Sequence, residues 1–102
     1  SPLDRSSAAS DVYKRQVQVH ERIHNRHPEI SIADVVYAWE NFSWAAIRSP
    51  GEEELRIGFD LRARELEMVG VALTDGWLIF HAMTPPSKKT RNEVRNALRS
   101  LR

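Results

Sequence analysis

Three histidines fall within eight positions of this 102-residue chain: His20, His24 and His27. His20-Glu21-Arg22-Ile23-His24 satisfies the pattern H-E-x-x-H. On a helix, residues four apart share a face, so two imidazoles could hold zinc while the carboxylate polarises a bound water. A zinc hydrolase on His20 and His24 also needs a third ligand. His27 and His81 are the remaining histidines, and the spacing demands neither. The plainer reading of the segment is a polar helix face.

A second constellation centres on His81. Cleavage of RNA through its 2′-hydroxyl needs a base for that proton, an acid for the departing 5′-oxygen and cations on the charged phosphorane. Imidazole suits both proton transfers, because its ordinary pKa of about 6.5 lies close to neutrality. The residue types are present: His81 itself, Lys88 and Lys89 just beyond it, and Arg56 on a candidate neighbouring strand. Strand parity places His81 with Trp77, Ile79 and Met83, which is equally the pattern of a structural histidine among apolar neighbours. Arg22, Arg26 and His27 line the same groove if their helix packs beside the strand ends. A solvated face, or a surface pair with Glu29 or Glu40 that contributes little, is the alternative. Trp39, Trp44 and Trp77 could stack bases, although Trp39 stands in an apolar helix stripe. The chain has no Gly-rich phosphate loop, no G-x-S-x-G and no acidic pair at a spacing that defines a metal or glycosidase site.

The elements that would position these residues can be read from periodicity. Val17 and Val19 flank Gln18 in strand-like alternation, and His20 to His27 reads as a short helix stopped by Pro28. Ser31 with Asp34 three residues on signals a helix start, with Ile30 and Val35 placed as a hydrophobic staple. Ile32, Val35, Val36, Trp39 and Phe42 continue at helical spacing. The period then changes to two. Ser43 to Arg48 reads as a strand and Ser49-Pro50-Gly51 as a turn. Leu55, Ile57 and Phe59 alternate with polar or small neighbours. Glu65 to Leu73 is apolar at its centre on both faces, as in a central strand. Asp75-Gly76 is a hairpin signal leading into Trp77 to Met83. After Thr84-Pro85-Pro86, Thr90 with Glu93 offers a second capping box ahead of the stripe Val94, Ala97, Leu98 and Leu101. The expected fold is α+β: a small antiparallel sheet of three to four strands, two helices before it and one after.

Composition bounds the rest. With 41% apolar and 28% charged residues the chain holds one core. No apolar run approaches the roughly 20 residues of a membrane span. Zero cysteines exclude a disulfide framework and a thiolate zinc site and suit a cytoplasmic location. Ser6 to Gln16 resembles the in-frame translation of an adapter used for sequencing libraries, so residues 1–16 are expected to be a non-native, disordered head, and residues 17–102 one domain. A natural polar tail is the other reading of that head. With no Met near Val17, the native start is expected to be missing. The head holds Arg5, Lys14 and Arg15 against Asp4 and Asp11. Of the 15 basic and 14 acidic side chains, 12 of each therefore remain in the domain. That neutral total is unevenly spread: Lys88, Lys89, Arg91, Arg95, Arg99 and Arg102 face only Glu93 after Thr84. Such a basic tail helix can meet phosphate or the acidic surface of a partner, or be a solvated face.

From His20 onward the chain resembles the small BrnT-like toxins of bacterial type II toxin-antitoxin systems, relatives of the RelE superfamily. The features that carry the likeness are the His- and Arg-rich segment His20 to His27, the I-S-x-x-D-V helix start at Ile30 to Val35, and the strand pair Arg56 to Asp60 and Arg64 to Val69. The strand ending in His81-Ala82-Met83-Thr84 ahead of a basic helix completes it. The resemblance implies a RelE-like fold and an endoribonuclease that cleaves mRNA without a cofactor. It also implies two partners, a cognate antitoxin and RNA, free or on the ribosome. The catalytic candidates are His81, Arg56, Lys88 and Lys89; the RNA-binding candidates are Arg22, Arg26, His27, Arg64, Arg91 and Arg95. Where related toxins tend to carry a basic S-A-R-R-like strand end, this chain has His-Ala-Met. A non-catalytic module that binds nucleic acid or an acidic protein through the C-terminal helix is the competing expectation.

Overall fold

The computed structural model describes residues 16–48 and 52–101. The expected turn at Ser49-Pro50-Gly51 and nearly all of the head lie outside the described residues. The elements are β1 (Gln16–Val19), α1 (Glu21–Arg26), α2 (Ile32–Glu40), β2 (Phe42–Arg48), β3 (Glu53–Phe59), β4 (Glu65–Leu73), β5 (Gly76–Met83) and α3 (Lys88–Arg99). The fold is α+β as expected, but the sheet has five strands, not three to four, in the order β1-β5-β4-β3-β2. It is also mixed: β1 runs parallel to β5, with Val17 opposite Trp77 and Val19 opposite Ile79, and the other pairings are antiparallel. The strand begins at Gln16, inside the segment set aside as a head. Its partner lies some 60 residues away, and a parallel pairing leaves no hairpin signal in sequence.

Local chemistry explains most of the boundaries. Ser31 caps α2 through a reciprocal box: its hydroxyl accepts from the Asp34 N–H, and Asp34 accepts from the Ser31 N–H. Asn41 ends α2, so Phe42 opens β2 rather than extending the helical stripe, and it is exposed. The Asp75-Gly76 hairpin joins β4 to β5 as read. Ser87, not Thr90, is the N-cap of α3; its hydroxyl accepts from the Thr90 N–H. Thr84-Pro85-Pro86 ends β5, and Ser87 is the first side chain after it able to cap the next helix.

The two sheet faces are covered unequally. On one face α2 crosses β1, β4 and β3, packing Val35, Ala38 and Trp39 over Leu66, Met68, Ile79 and Ala82, with Ile23 and Ile30 closing the end. Gly58 permits this approach, because a Cβ there would collide with the Ala38 carbonyl oxygen. On the other face Leu55 and Ile57 are buried, Ile57 beside α3, yet Thr90 is the only buried residue of that helix. Leu98 and Leu101, expected to pack, are 55% and 82% exposed. Phe59, expected to alternate inward with Leu55 and Ile57, is also exposed. Among the described residues no helix is long and apolar enough to cross a membrane.

Candidate functional site

Strand register decides which candidates can meet. Arg56, Met68 and Ala82 align across β3, β4 and β5 on the face covered by α2, whereas Leu55, Val69 and His81 align on the opposite face. Arg56 and His81 are therefore separated by the sheet. The Arg56 guanidinium lies 4.1, 4.3 and 4.8 Å from the ring centres of Trp39, Phe42 and Trp77. It donates to the Trp39 carbonyl at 3.0 Å and pairs with Glu54 at 2.6 Å. Three cation–π contacts, the bond to the Trp39 carbonyl and the pair with Glu54 make it a structural cation of the α2 face. Trp39, 1% exposed, meets the half-buried Trp77 edge to face at 5.1 Å, and both rings also lie against the Arg56 guanidinium. Trp44 is half-buried on the α3 side of the sheet, where Arg91 and Arg95 line the same groove.

Arg64 is likewise committed elsewhere. Its Nε binds the buried Asp60 at 2.8 Å, and a terminal nitrogen reaches Asp34 at 3.3 Å and the Glu29 carbonyl at 3.1 Å. Arg62 binds the same Asp34 oxygen at 2.7 Å. This cluster ties the β3–β4 connection to the start of α2. Burial pushes the Asp34 pKa up, but Arg62 and the Ser31 hydroxyl and N–H outweigh it, bringing the carboxyl from 3.8 down to about 2.

The H-E-x-x-H residues also have other partners. His20 is the N-cap of α1, outside the helical turn that would pair it with His24; its Nδ1 accepts from the Arg22 N–H at 3.1 Å. His24 Nδ1 donates to the Ile30 carbonyl at 3.3 Å, bracing the α1–α2 connection. Among the described residues no group of three or more His, Cys, Asp or Glu side chains converges in a metal-binding arrangement.

One cleft does gather chemistry-bearing residues. It has a volume of about 320 Å³ and is lined by Arg22, Ile23, Arg26 and His27 from α1 and its C-cap, Phe80, His81 and Ala82 from β5, Val69 from β4 and Glu53 from β3. β1 is shorter than β5, so α1 takes over the sheet edge where β1 stops. The His20 N–H binds the Ile79 carbonyl at 2.8 Å, and Arg22 Nε donates to the Phe80 carbonyl at 3.0 Å. Those bonds bring Arg22, Arg26 and His27 alongside His81, as the sequence suggested they would be if the helix packed beside the strand.

His81 is held by a residue that inspection of the sequence did not single out. Its Nε2 donates to the carboxylate of Glu67 at 2.7 Å. The other oxygen of Glu67 accepts from both the N–H and the hydroxyl of Ser87, each at 2.9 Å. Glu67 is 7% exposed. Burial raises its pKa, yet the His81, Ser87 and Thr90 hydrogen bonds prevail and lower it from 4.5 to about 2. A buried carboxylate kept ionised fixes both the orientation of the imidazole and which nitrogen carries the hydrogen toward Glu67. Among the described residues Nδ1 of His81 has no protein partner, which leaves that nitrogen for a ligand. The signal for Glu67 was a charge flanked by Leu66 and Met68 within a largely apolar strand, since buried charges are retained where they are paired. Lys88 and Lys89 are exposed on the first turn of α3, beyond Ser87, and neither lines the cleft.

Comparison with protein families, curated proteins and solved structures finds no match to this chain.

Proposed function

We propose that the protein is an endoribonuclease toxin of a toxin-antitoxin pair, cleaving mRNA in the cytoplasm through the 2′-hydroxyl without a metal or cofactor. The observation that carries the reading is the cleft in which a carboxylate-oriented imidazole, His81, stands with Arg22, Arg26 and His27. Acid–base chemistry on a phosphodiester needs this combination: a positioned proton acceptor and cations for the charge that builds on phosphorus. Arg22 and Arg26 are one helical turn apart and take the phosphate-binding role expected of Arg56, whose guanidinium is spent on the opposite face. Lys88 and Lys89 then serve the flanking RNA backbone. The resemblance to BrnT-like and RelE-superfamily toxins supports the assignment, and the α+β sheet with a basic C-terminal helix is compatible with a RelE-like fold. An antitoxin is the implied protein partner.

Induced expression of the full chain in bacteria tests this. Growth arrest with loss of mRNA is expected, and His81→Ala should abolish both. Intact RNA, or equal toxicity from the His81→Ala variant, overturns the assignment.

A second reading is favoured by one observation: the helix that carries Arg91, Arg95 and Arg99 leaves Leu98 exposed, and Leu101, just past its end, is exposed too. A non-catalytic module using that helix to bind an acidic protein or nucleic acid would lose binding when the three arginines are neutralised together and would not depend on His81.

A further inference from the structure

Cleavage through a 2′-hydroxyl moves two protons. One leaves O2′ as the O2′–P bond forms; the other reaches O5′ as the P–O5′ bond breaks, giving a 2′,3′-cyclic phosphate and a free 5′-hydroxyl. No water or other co-reactant enters. The two transfers occur on opposite sides of the phosphorus, because attacking and leaving oxygens lie in line. One imidazole fixed by a buried carboxylate is poorly placed for both.

We propose that His27 is the second proton-transfer residue of the cleft, the acid that protonates O5′, while His81 is the base that takes the 2′ proton. This rests on the endoribonuclease reading and assigns the two steps of that reaction to two residues. His27 and His81 line the same cleft from different elements, the C-cap of α1 and β5, with Arg22 and Arg26 also in its wall. Their carboxylate partners differ in a way that divides the labour. His81 meets Glu67 at 2.7 Å in a buried network closed by Ser87. The positive charge that the ring acquires on taking a proton is met by a fixed negative one, as in a base oriented by a buried acid. His27 lies 3.6 Å from Glu29. The two imidazoles are equally open to water, at 35% and 37%, but Glu29 is 50% exposed where the Glu67 side chain is 9% exposed, so the partner of His27 is a solvated carboxylate and not a buried one. A protonated ring there can give up its proton and regain one from solvent between turnovers. Arg22 spends Nε on the Phe80 carbonyl, which leaves its terminal nitrogens for a non-bridging phosphate oxygen. The charged and titratable groups around the pair are Glu67 and Glu53 from the sheet and Arg22, Arg26 and Glu29 from α1 and the turn after it.

The experiment uses the purified full chain with a short oligoribonucleotide, and the same sequence carrying a bridging 5′-sulfur at the scissile position. A thiolate leaves without a proton, so only the acid becomes dispensable. His27→Ala is expected to slow cleavage of ordinary RNA by ~100-fold or more, and to cleave the 5′-thio substrate at close to the wild-type rate. His81→Ala should be slow on both. His27→Gln, a neutral residue of comparable reach, should behave as His27→Ala. In parallel, the ring C–H proton resonances of His27 and His81 are followed by NMR as a fully 2′-O-methylated oligonucleotide is added; both should shift, and Arg22→Ala with Arg26→Ala should suppress the shifts. If His27→Ala cleaves ordinary RNA as fast as wild type, or is equally impaired on both substrates, the role of His27 is overturned while the endoribonuclease reading stands. Wild-type protein that leaves RNA intact overturns both.

Discussion

Replacing Glu67 by Gln removes the charge that orients His81 while keeping the side chain's size and an oxygen able to accept from Ser87. The carboxyl lies at about 2 in the folded protein against an ordinary 4.5, which corresponds to ~3 kcal/mol of stability at pH 7 at about 1.4 kcal/mol per pH unit. His81 is 37% exposed, and water on that side screens part of the attraction, so the observed loss should fall between ~1 and ~3 kcal/mol. Because the folded value is depressed, the contribution is complete above about pH 5 and drains away as the pH falls toward 2. At pH 3, roughly 1.4 of the ~3 kcal/mol remains by the same linkage. Urea unfolding of wild type and Glu67→Gln, followed by tryptophan fluorescence at pH 7 and pH 3, measures the difference directly. Other carboxylates titrate alike in both proteins and cancel from it. A stability gap that stays constant, or widens, between pH 7 and pH 3 would refute the assignment of Glu67 as a buried, ionised partner of His81.

Asp34→Ala should cost ~3 kcal/mol or more, because it removes the α2 capping box and leaves the Arg62 and Arg64 guanidiniums without their shared acceptor; a fall in thermal midpoint checks it, and a change within ~0.5 kcal/mol counts against the clip. Ala63 sits at φ 62°, a left-handed conformation that glycine adopts without strain, so Ala63→Gly should leave stability unchanged or raise it by up to ~1 kcal/mol; marked destabilisation in denaturant melts would contradict that geometry. Arg56→Lys keeps the charge but loses the planar stacking on Trp39, Phe42 and Trp77 and the bond to the Trp39 carbonyl. It should destabilise by ~1–2 kcal/mol and leave RNA cleavage at neutral pH intact, whereas loss of cleavage in a fully folded variant would return Arg56 to the active site.

Where a signal in this chain is local, sequence and structure agree. Ser31 and Asp34 cap α2 through atoms three residues apart, Pro28 bars further helix after His27, and Asp75-Gly76 turns β4 into β5, all by backbone chemistry confined to a few residues. Local patterns also mislead when two neighbours compete for one role: Thr90 with Glu93 has the form of a capping box, but Ser87 precedes it and takes the position. Exposure on α3 follows the same logic, since an amphipathic stripe specifies a face able to pack without specifying what covers Leu98 and Leu101.

Side-chain type and periodicity by themselves determined that this chain builds an α+β domain with a strand that carries His81 near its end and a basic helix after it. They also identified Arg22, Arg26 and His27 as residues able to reach that strand. Only the tertiary structure decided that β1 pairs in parallel with β5 across some 60 residues and so delivers α1 to the edge of the sheet. It alone assigned Arg56 to one face and His81 to the other, and brought Glu67 and Ser87 together on the imidazole. The reason is physical: capping, turn and alternation preferences act within a few residues of backbone, whereas register across strands decides which distant side chains share a face. The partner of a buried charge follows from that register.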